Sequence, residues 1–448
     1  METLERLREA GDQPAILTPT EAATARELVD RTLCWQDWLA RNEVPPGAVV
    51  GLLGGYDPES VSLLLALILN RNVVVPLTRD GAVQHKQFTE IAQVSHLLIP
   101  GEAAPPLKLR RSGPTHPIYG DLRARGAAGL VLFSSGSTGT PKAAVHDFDR
   151  LLKKFDVRRR SYRTIVFLQL DHIGGINTLF YALSNGGTVV TSHDRSPAAV
   201  CEAIEQHRVT LLPTSPTFLN LLLLSEEHQR HDLSSLELIT YGTEPMPPST
   251  LARAVAAFPH ARLLQTYGLT ELGILRSKSR ESNSLWVRVG GEGYETKVSA
   301  GRLWIRTESA MLGYLNAPSP FDADGFFDTG DYVECDGEWL RFLGRGSDLI
   351  NVGGRKVWPA EVENVLLDLP NVSDVVVRAA RHPLVGQVVA ATVTLVDPEP
   401  LVEFKVRLRC FCRERLESYK IPAIVTIVDH PLYSVRFKRD RTRQAMAP

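Results

Sequence analysis

The sequence predicts an α/β protein: a large N-terminal domain of αβ-layered sheets with a small β subdomain, followed by a small C-terminal α+β domain. Three observations carry this. Apolar strand-like runs alternate with helix-length segments up to about residue 275, the pattern of a mostly parallel sheet covered on both faces. Between 276 and about 345 the runs shorten and Gly- and Asp-containing turns separate them, as in antiparallel strands. Beyond a polar stretch at 344–348, helical and strand patterns mix to the C-terminus. The expected boundaries are 1–345 for the N-terminal domain, 346–348 for a hinge and 349–448 for the C-terminal domain.

Residues 20–39 have helical spacing, 49–53 read as a strand, 59–69 as a helix and 73–76 as a strand. Residues 101–120, with their prolines and basic side chains, read as a surface connection. Residues 130–133 form an apolar strand that runs into Ser134, Ser135, Gly136, Ser137, Thr138 and Gly139, then Pro141 and Lys142. Small hydroxylated residues and glycines after a strand let backbone N–H groups approach an anion, and one lysine balances its charge. A polyphosphate is the natural ligand, although the spacing is not that of a Walker loop. A flexible polar turn is the bland alternative.

Strands follow at 164–170, 188–191, 210–213, 236–241 and 262–265, with helices at 197–206, 216–224 and 248–258 between them. Four of these strand ends carry glycine, hydroxyl or acidic residues, and ligands of open α/β sheets sit beyond the carboxyl ends of strands. The C-terminal part shows one apolar helical face in Val362, Val365, Leu366 and Leu369. It adds strands at 375–377, 388–396 and 423–428 and a helix at 401–416.

Composition limits the function. Fifty Lys and Arg stand against 51 Asp and Glu, so no net field favours non-specific nucleic-acid binding. Five cysteines without a C-x-x-C pair suggest neither a disulfide framework nor a zinc site. They read as buried thiols of a reducing, cytoplasmic compartment. No signal peptide is seen, and the longest strongly apolar run, 61–69, is too short to span a bilayer.

Four motifs occur in order: SSGSTGTPK at 134–142, YGLTE at 267–271, FDTGD at 327–331 and GRGSDLINVGGRKVWPAEVE at 344–363. Together they resemble the acyl-adenylate-forming superfamily of acyl- and aryl-CoA ligases, peptide-synthetase adenylation domains and luciferases. The resemblance implies two half-reactions. A carboxylate attacks the α-phosphate of MgATP to give acyl-AMP and pyrophosphate. A thiol, of CoA or of a phosphopantetheine arm on an acyl-carrier protein, then displaces AMP.

It also implies site residues. Ser134, Ser135, Gly136, Ser137, Thr138, Gly139 and Lys142 match the phosphate loop, with Thr138 and Lys142 acting on the reacting phosphates. Gly242, Thr243, Glu244, Gln265, Thr266, Tyr267 and Thr270 match the segments around the adenine. Asp331 matches the ribose acceptor and Arg345 its partner. Glu271, helped by Ser134, matches the Mg²⁺ site; an acidic residue with hydroxyl oxygens suits an ion that keeps phosphate and water ligands. His172, Gly174, Gly175, Gly242, Gly268, Leu272 and Gly273 match the acid pocket. Because His172 stands where amino-acid-activating relatives carry Asp, with Asp171 one residue early, the favoured substrate is an uncharged acid. A small aromatic or medium apolar one is expected. Lys438, three residues before Arg441, matches the catalytic lysine of a mobile C-terminal domain, and Asp348 its hinge. Gly353, Gly354 and Lys356 match the acceptor side.

The chain departs from the family pattern at Phe437, where Gly is usual before the lysine, and at Asn351, where Lys is common. The alternatives are transfer to a carrier protein or an amine, or a nucleotide-binding relative without turnover. A nicotinamide dehydrogenase is set aside for want of G-x-G-x-x-G after a strand.

Overall fold

The computed structural model describes the chain except residues 80–81, 102–106, 110–114, 135–139, 292, 435–436, 440 and 442–448. Among the described residues two seven-stranded sheets form the N-terminal part. One runs, in spatial order, through Arg262–Gln265, Leu238–Tyr241, Leu211–Thr214, Arg163–Ile165, Thr188–Val190, Pro14–Leu17 and Ala22–Thr24, antiparallel only at the last. The other has a parallel centre of Gly129–Ser134, Val73–Leu77, Val49–Leu53 and His96–Leu98. Its outer strands Lys142–Asp147, Gly313–Tyr314 and Leu107–Lys108 are antiparallel.

The sheets are interleaved in sequence. Pro14–Leu17 pairs antiparallel with Ala22–Thr24 on one side and, on the other, parallel with Thr188–Val190, far along the chain. One hydrophobic core links both sheets through the helices Pro58–Leu69 and Ile173–Ser184. Ten of the twelve residues of Pro58–Leu69 are buried, so this helix is apolar all round, as a helix between two sheets must be. Asp57 caps it by accepting from the backbone N–H of Ser60 at 2.9 Å, with Pro58 at the first helical position. The helix expected from residue 20 starts later, at Ala25–Arg41, because Thr24 and Glu27 form a capping box.

Six antiparallel strands between Ser277 and Arg345 make the β subdomain. In the C-terminal part a five-stranded sheet carries the helices Pro359–Leu367 and Leu401–Arg413. Its core is drawn wholly from 350–425, so it has its own apolar interior. The strand expected at 164–170 ends at Ile165; 166–172 is irregular backbone leading to His172. The connection at 101–120 contains the start of a helix, Pro117–Ala124. The thiols differ from expectation. Only Cys201 and Cys412 are buried, while Cys34, Cys335 and Cys410 are exposed. Cys410 and Cys412 do fall on opposite faces of their helix, as a two-residue offset requires.

Candidate active site

Ser135, Gly136, Ser137, Thr138 and Gly139, expected to form a phosphate loop, lie outside the described residues; the segments on either side of them are fixed. Ser134 and Lys142 are cross-strand partners that close a hairpin. Asn316 clamps the returning arm: its Oδ1 accepts from the N–H of Ala143 at 3.0 Å and its Nδ2 donates to Pro141 O at 2.8 Å. The strand Gly313–Tyr314 pairs with the same arm, setting Tyr314 opposite Ala144. Lys142 Nζ lies 5.4 Å from the centre of the Tyr314 ring, and the Tyr314 hydroxyl donates to Glu271 Oε1 at 2.6 Å. Burial, then the Glu271 carboxylate, push that hydroxyl's pKa up, so it stays a donor.

The Thr270–Glu271 segment is tied down twice more. Buried His146 Nε2 donates to Thr270 O at 2.6 Å, and Met311 N–H donates to Glu271 O at 2.8 Å. Burial holds His146 below its ordinary pKa, consistent with a neutral ring.

Asp331 and Arg345 face each other across the hairpin of Phe327–Asp336 and Trp339–Arg345. Arg345 Nε donates to Asp331 Oδ1 at 3.3 Å, and the Tyr267 hydroxyl donates to Oδ2 at 2.6 Å. The Asp331 side chain is 12% exposed and that of Arg345 56%. Burial pushes the Asp331 pKa up, and Arg345 and Tyr267 counter this. The Tyr267 ring stacks on Phe342, centroids 4.5 Å apart and planes at 18°.

At the neighbouring strand end, Gly242 allows close approach: a Cβ there would lie 2.7 Å from Thr266 O. Thr243 adopts φ 76°, an outlier for a β-branched residue. Gln265 is buried, its Oε1 without a hydrogen-bond partner among the described residues. Thr266 Oγ1 donates to Tyr241 O at 3.2 Å. Glu244, expected near the adenine, is occupied otherwise. Oε1 accepts from Thr217 N at 2.8 Å and from the Thr217 hydroxyl, and Oε2 accepts from Arg439 N at 3.2 Å.

His172 caps the helix Ile173–Ser184, its Nδ1 accepting from Gly174 N at 3.0 Å. The neutral ring therefore carries its proton on Nε2. Gly174 and Gly175 are required by packing: a Cβ on Gly175 would fall 2.0 Å from Gln169 O and 2.4 Å from the Tyr56 hydroxyl. Lys438, from the end of the C-terminal part, lines one small crevice with Leu168, Gln169, His172 and Arg195. The structure thus brings together two of the expected residues 266 positions apart. Gly268 packs against Ile274 and Gly273, where a Cβ would lie 2.5 Å from Ile274 Cδ1. Gly273 has φ 81°. Leu272 is fully buried in the core of the β subdomain.

Asp348 ends a short 3₁₀ turn, Gly346–Asp348, between the β subdomain and the C-terminal sheet. It lies 3.8 Å from Arg441. Gly353 and Gly354 form the two-residue turn between Ile350–Val352 and Arg355–Val357, with φ 57° and 87°, as a primed hairpin turn demands. Lys356 is exposed on that hairpin. None of these three lines the His172–Lys438 crevice; Gly354 lines a separate open groove with Asn351, Arg381 and Gln387.

Sequence reasoning missed Tyr314, Asn316 and Phe342. Their roles arise from pairing with segments far away in the chain, and no local pattern marks them.

The residues around Glu271 fit a divalent cation. One carboxylate oxygen is held by Tyr314, and Oε2 has no hydrogen-bond partner among the described residues. Among the described residues there is no group of three or more His, Cys, Asp or Glu side chains able to hold a metal. An ion here would take one protein carboxylate and otherwise phosphate and water oxygens, which suits Mg²⁺. No described helix is long and apolar enough to cross a membrane.

Comparison with known proteins places the chain in a family. The family model of the AMP-binding enzymes matches residues 123–315, and that of the AMP-binding enzyme C-terminal domain matches 361–434. The indoleacetate–CoA ligase of Aromatoleum aromaticum is 32% identical, the match covering 71% of this chain and 67% of that protein. The 2-succinylbenzoate–CoA ligase of Bacillus subtilis is 31% identical over 68% of this chain and 65% of its own. The matches thus span about two thirds of the relatives' length. Among solved structures, an anthranilate CoA ligase in complex with anthranoyl-AMP superposes with TM-score 0.80 at 20% identity, covering 98% of this chain and 95% of that one. The o-succinylbenzoate CoA synthetase of Bacillus subtilis with its acyl-adenylate gives 0.79 at 23%, covering 100% and 98%; these two show the fold. With both family models matched in order and relatives at this identity, the chain belongs to the AMP-binding, acyl-adenylate-forming enzyme superfamily.

Proposed function

We propose that this protein activates a small aromatic or medium-length apolar carboxylic acid with ATP and passes the acyl group to a thiol, most simply that of CoA. The observation that carries the reading is the shared crevice of Lys438 and His172. A cation from one domain and a hydrogen-bond donor from the other meet where two anions must react. The named relatives are an indoleacetate–CoA ligase and a 2-succinylbenzoate–CoA ligase, which supports the choice of an aromatic acid and of CoA.

In the first step an oxygen of the substrate carboxylate bonds to the α-phosphorus, and the P–O bond to pyrophosphate breaks. Both reactants are anionic, so positive charge and aimed donors lower the barrier. Lys438 supplies charge at the carboxylate, His172 offers the Nε2 proton to it, and Lys142 stands at the end of the phosphate loop. Asp331, whose carboxylate Arg345 and Tyr267 support against the effect of burial, accepts the ribose hydroxyls. Glu271 would hold Mg²⁺, whose chemistry is to neutralise the triphosphate. In the second step the thiol sulfur bonds to the acyl carbon, the acyl–O bond to AMP breaks, and the thiol proton is lost to solvent. Gly353, Gly354 and Lys356 are assigned to that acceptor side, reached by a hinge motion at Asp348.

The test is a panel of acids, among them benzoate, indole-3-acetate and octanoate, with MgATP, reading pyrophosphate release with and without CoA. Acid-dependent release with thioester formation is expected. Release without thioester would move the acceptor to a carrier protein or an amine. A Lys438→Ala variant releasing pyrophosphate at the wild-type rate would overturn the role given to that lysine.

A further inference from the structure

Phe437 stands in the core of the other domain. Its ring lies 5.0 Å from Phe167 and 5.4 Å from Phe218, centroid to centroid, and stacks on Tyr433 at 5.3 Å and 15°. The Arg195 guanidinium carbon sits 5.7 Å from its ring centre. Phe167 and Phe218 belong to the buried core of the parallel sheet of the N-terminal part, and Phe437 packs on that core as a partly buried member. Its carbonyl accepts from Ser215 Oγ at 2.8 Å, and its N–H donates to Ser434 O at 2.9 Å. The backbone is left-handed, φ 51°, a conformation a residue with a Cβ adopts only when its surroundings compel it.

The next two residues complete the arrangement. Lys438 lines the crevice with His172 and Arg195. Arg439 then binds both domains: its N–H donates to Glu244 of the N-terminal part, and its guanidinium reaches fully buried Glu363 of the C-terminal part at 2.8 Å. Lys438 is therefore gripped on either side, and only the Phe437 side reaches into an apolar core. A long flexible lysine gains its position from such neighbours, because its own stem has about four rotatable bonds to order.

We propose that Phe437 is a positioning residue: it plugs the end of the C-terminal domain into the aromatic cleft of Phe167 and Phe218 and so holds Lys438 at the His172 crevice. This rests on the reading of Lys438 as the lysine of acid activation, but the anchoring itself is read from packing and is measured separately. Glycine in its place would suit the backbone and supply no ring. The side chain is thus retained for contact, at the expense of an unfavourable φ.

The anchor is tested by lysine footprinting of the full-length protein with an amine-reactive reagent, read by mass spectrometry. In Phe437→Ala the labelling rate of Lys438 is expected to rise about tenfold, since ring contacts of this kind each hold a several-fold equilibrium. Lys356 and Lys405 should keep their wild-type rates, and Phe437→Leu, which retains an apolar plug, should restore protection. Unchanged labelling of Lys438 in Phe437→Ala overturns the proposal, as does an equal rise at all three lysines. Should Phe437→Ala fail to fold, Ser215→Ala removes the bond to the Phe437 carbonyl and should give a smaller rise at Lys438 alone. Acid-dependent pyrophosphate release separates the two claims. Activity lost in Lys438→Ala but wild-type in Phe437→Ala removes the positioning role and leaves the reading. Wild-type activity in Lys438→Ala removes the reading on which the inference rests.

Discussion

Tyr267→Phe removes one oxygen from the Asp331 node and leaves its ring stack on Phe342 in place. In the wild type the hydroxyl donates at 2.6 Å to a buried carboxylate, and the other donor, Arg345, is longer at 3.3 Å and exposed. Burial raises the tyrosine's own pKa, and Asp331 raises it further, so the hydroxyl donates at every accessible pH. A hydrogen bond to a charged group contributes about 1.5–3 kcal/mol. The variant should therefore lose about 2 kcal/mol of unfolding free energy at pH 8, measured by urea denaturation.

The pH dependence has a fixed sign. Asp331 already has a folded pKa above its ordinary value because of burial. Its contribution to stability is complete below the ordinary carboxylate range and is lost as pH rises toward the raised folded value. Removing the donor raises that value further. The penalty of Tyr267→Phe thus grows as pH rises through the window and nearly vanishes near pH 4. On the ribose role proposed for Asp331, AMP binding moves the other way, since only an ionised carboxylate accepts two hydroxyls. In the variant, affinity measured calorimetrically should fall relative to wild type, and the loss should be greater at pH 6 than at pH 8.5. A variant within about 0.5 kcal/mol of wild type at pH 8, binding AMP unchanged at both pH values, would refute the claim that Tyr267 tunes Asp331.

Two other perturbations test the neighbouring geometry. Thr243→Gly relieves a left-handed backbone worth about 1–2 kcal/mol against an entropic cost of about 0.4–1 kcal/mol; urea unfolding should show a small net gain, and a loss above about 1 kcal/mol would mean that the threonine makes a contact outweighing its strain. Lys154, bonded to Asn177 Oδ1 and Ile274 O, has a pKa lowered to about 7 by burial and then by Arg159 and Arg276. Between that value and 10.5 the unfolded chain binds the extra proton, so this group makes stability rise with pH. Lys154→Met should compare better with wild type at pH 6 than at pH 9, and equal differences at the two pH values would show that the ammonium is not desolvated.

The parts of this molecule that the chain announces are those in which neighbours in sequence do the work. The apolar strand 130–133, the glycines after His172 and the YGLTE and FDTGD turns each place a group by local backbone geometry, and each is recognisable in isolation. Asp331 and Arg345 were legible as a pair, but not as directly opposed across a hairpin, because that depends on a register shift between Tyr332 and Val333. Tyr314 was silent: its meaning comes from pairing with Ala144, 170 positions away, which sets its hydroxyl on Glu271. Likewise the N-terminal strand Pro14–Leu17 carries no signal that raised an expectation, yet it joins the sheet that carries Gly242 and Gln265.

The same division explains why Phe437 looks like a defect in the motif and like an anchor in the fold. A motif records what the backbone tolerates next to a catalytic lysine, and there glycine is the unstrained choice. Whether a side chain at that position can be accommodated depends on the aromatic cleft of Phe167 and Phe218, on an irregular segment and a helix more than two hundred residues earlier. A cleft of that kind turns a locally unfavourable residue into a contact between domains. The departure in sequence then bears on which domain arrangement this chain favours, the one with Lys438 beside His172, and in that arrangement the role proposed for the lysine is preserved.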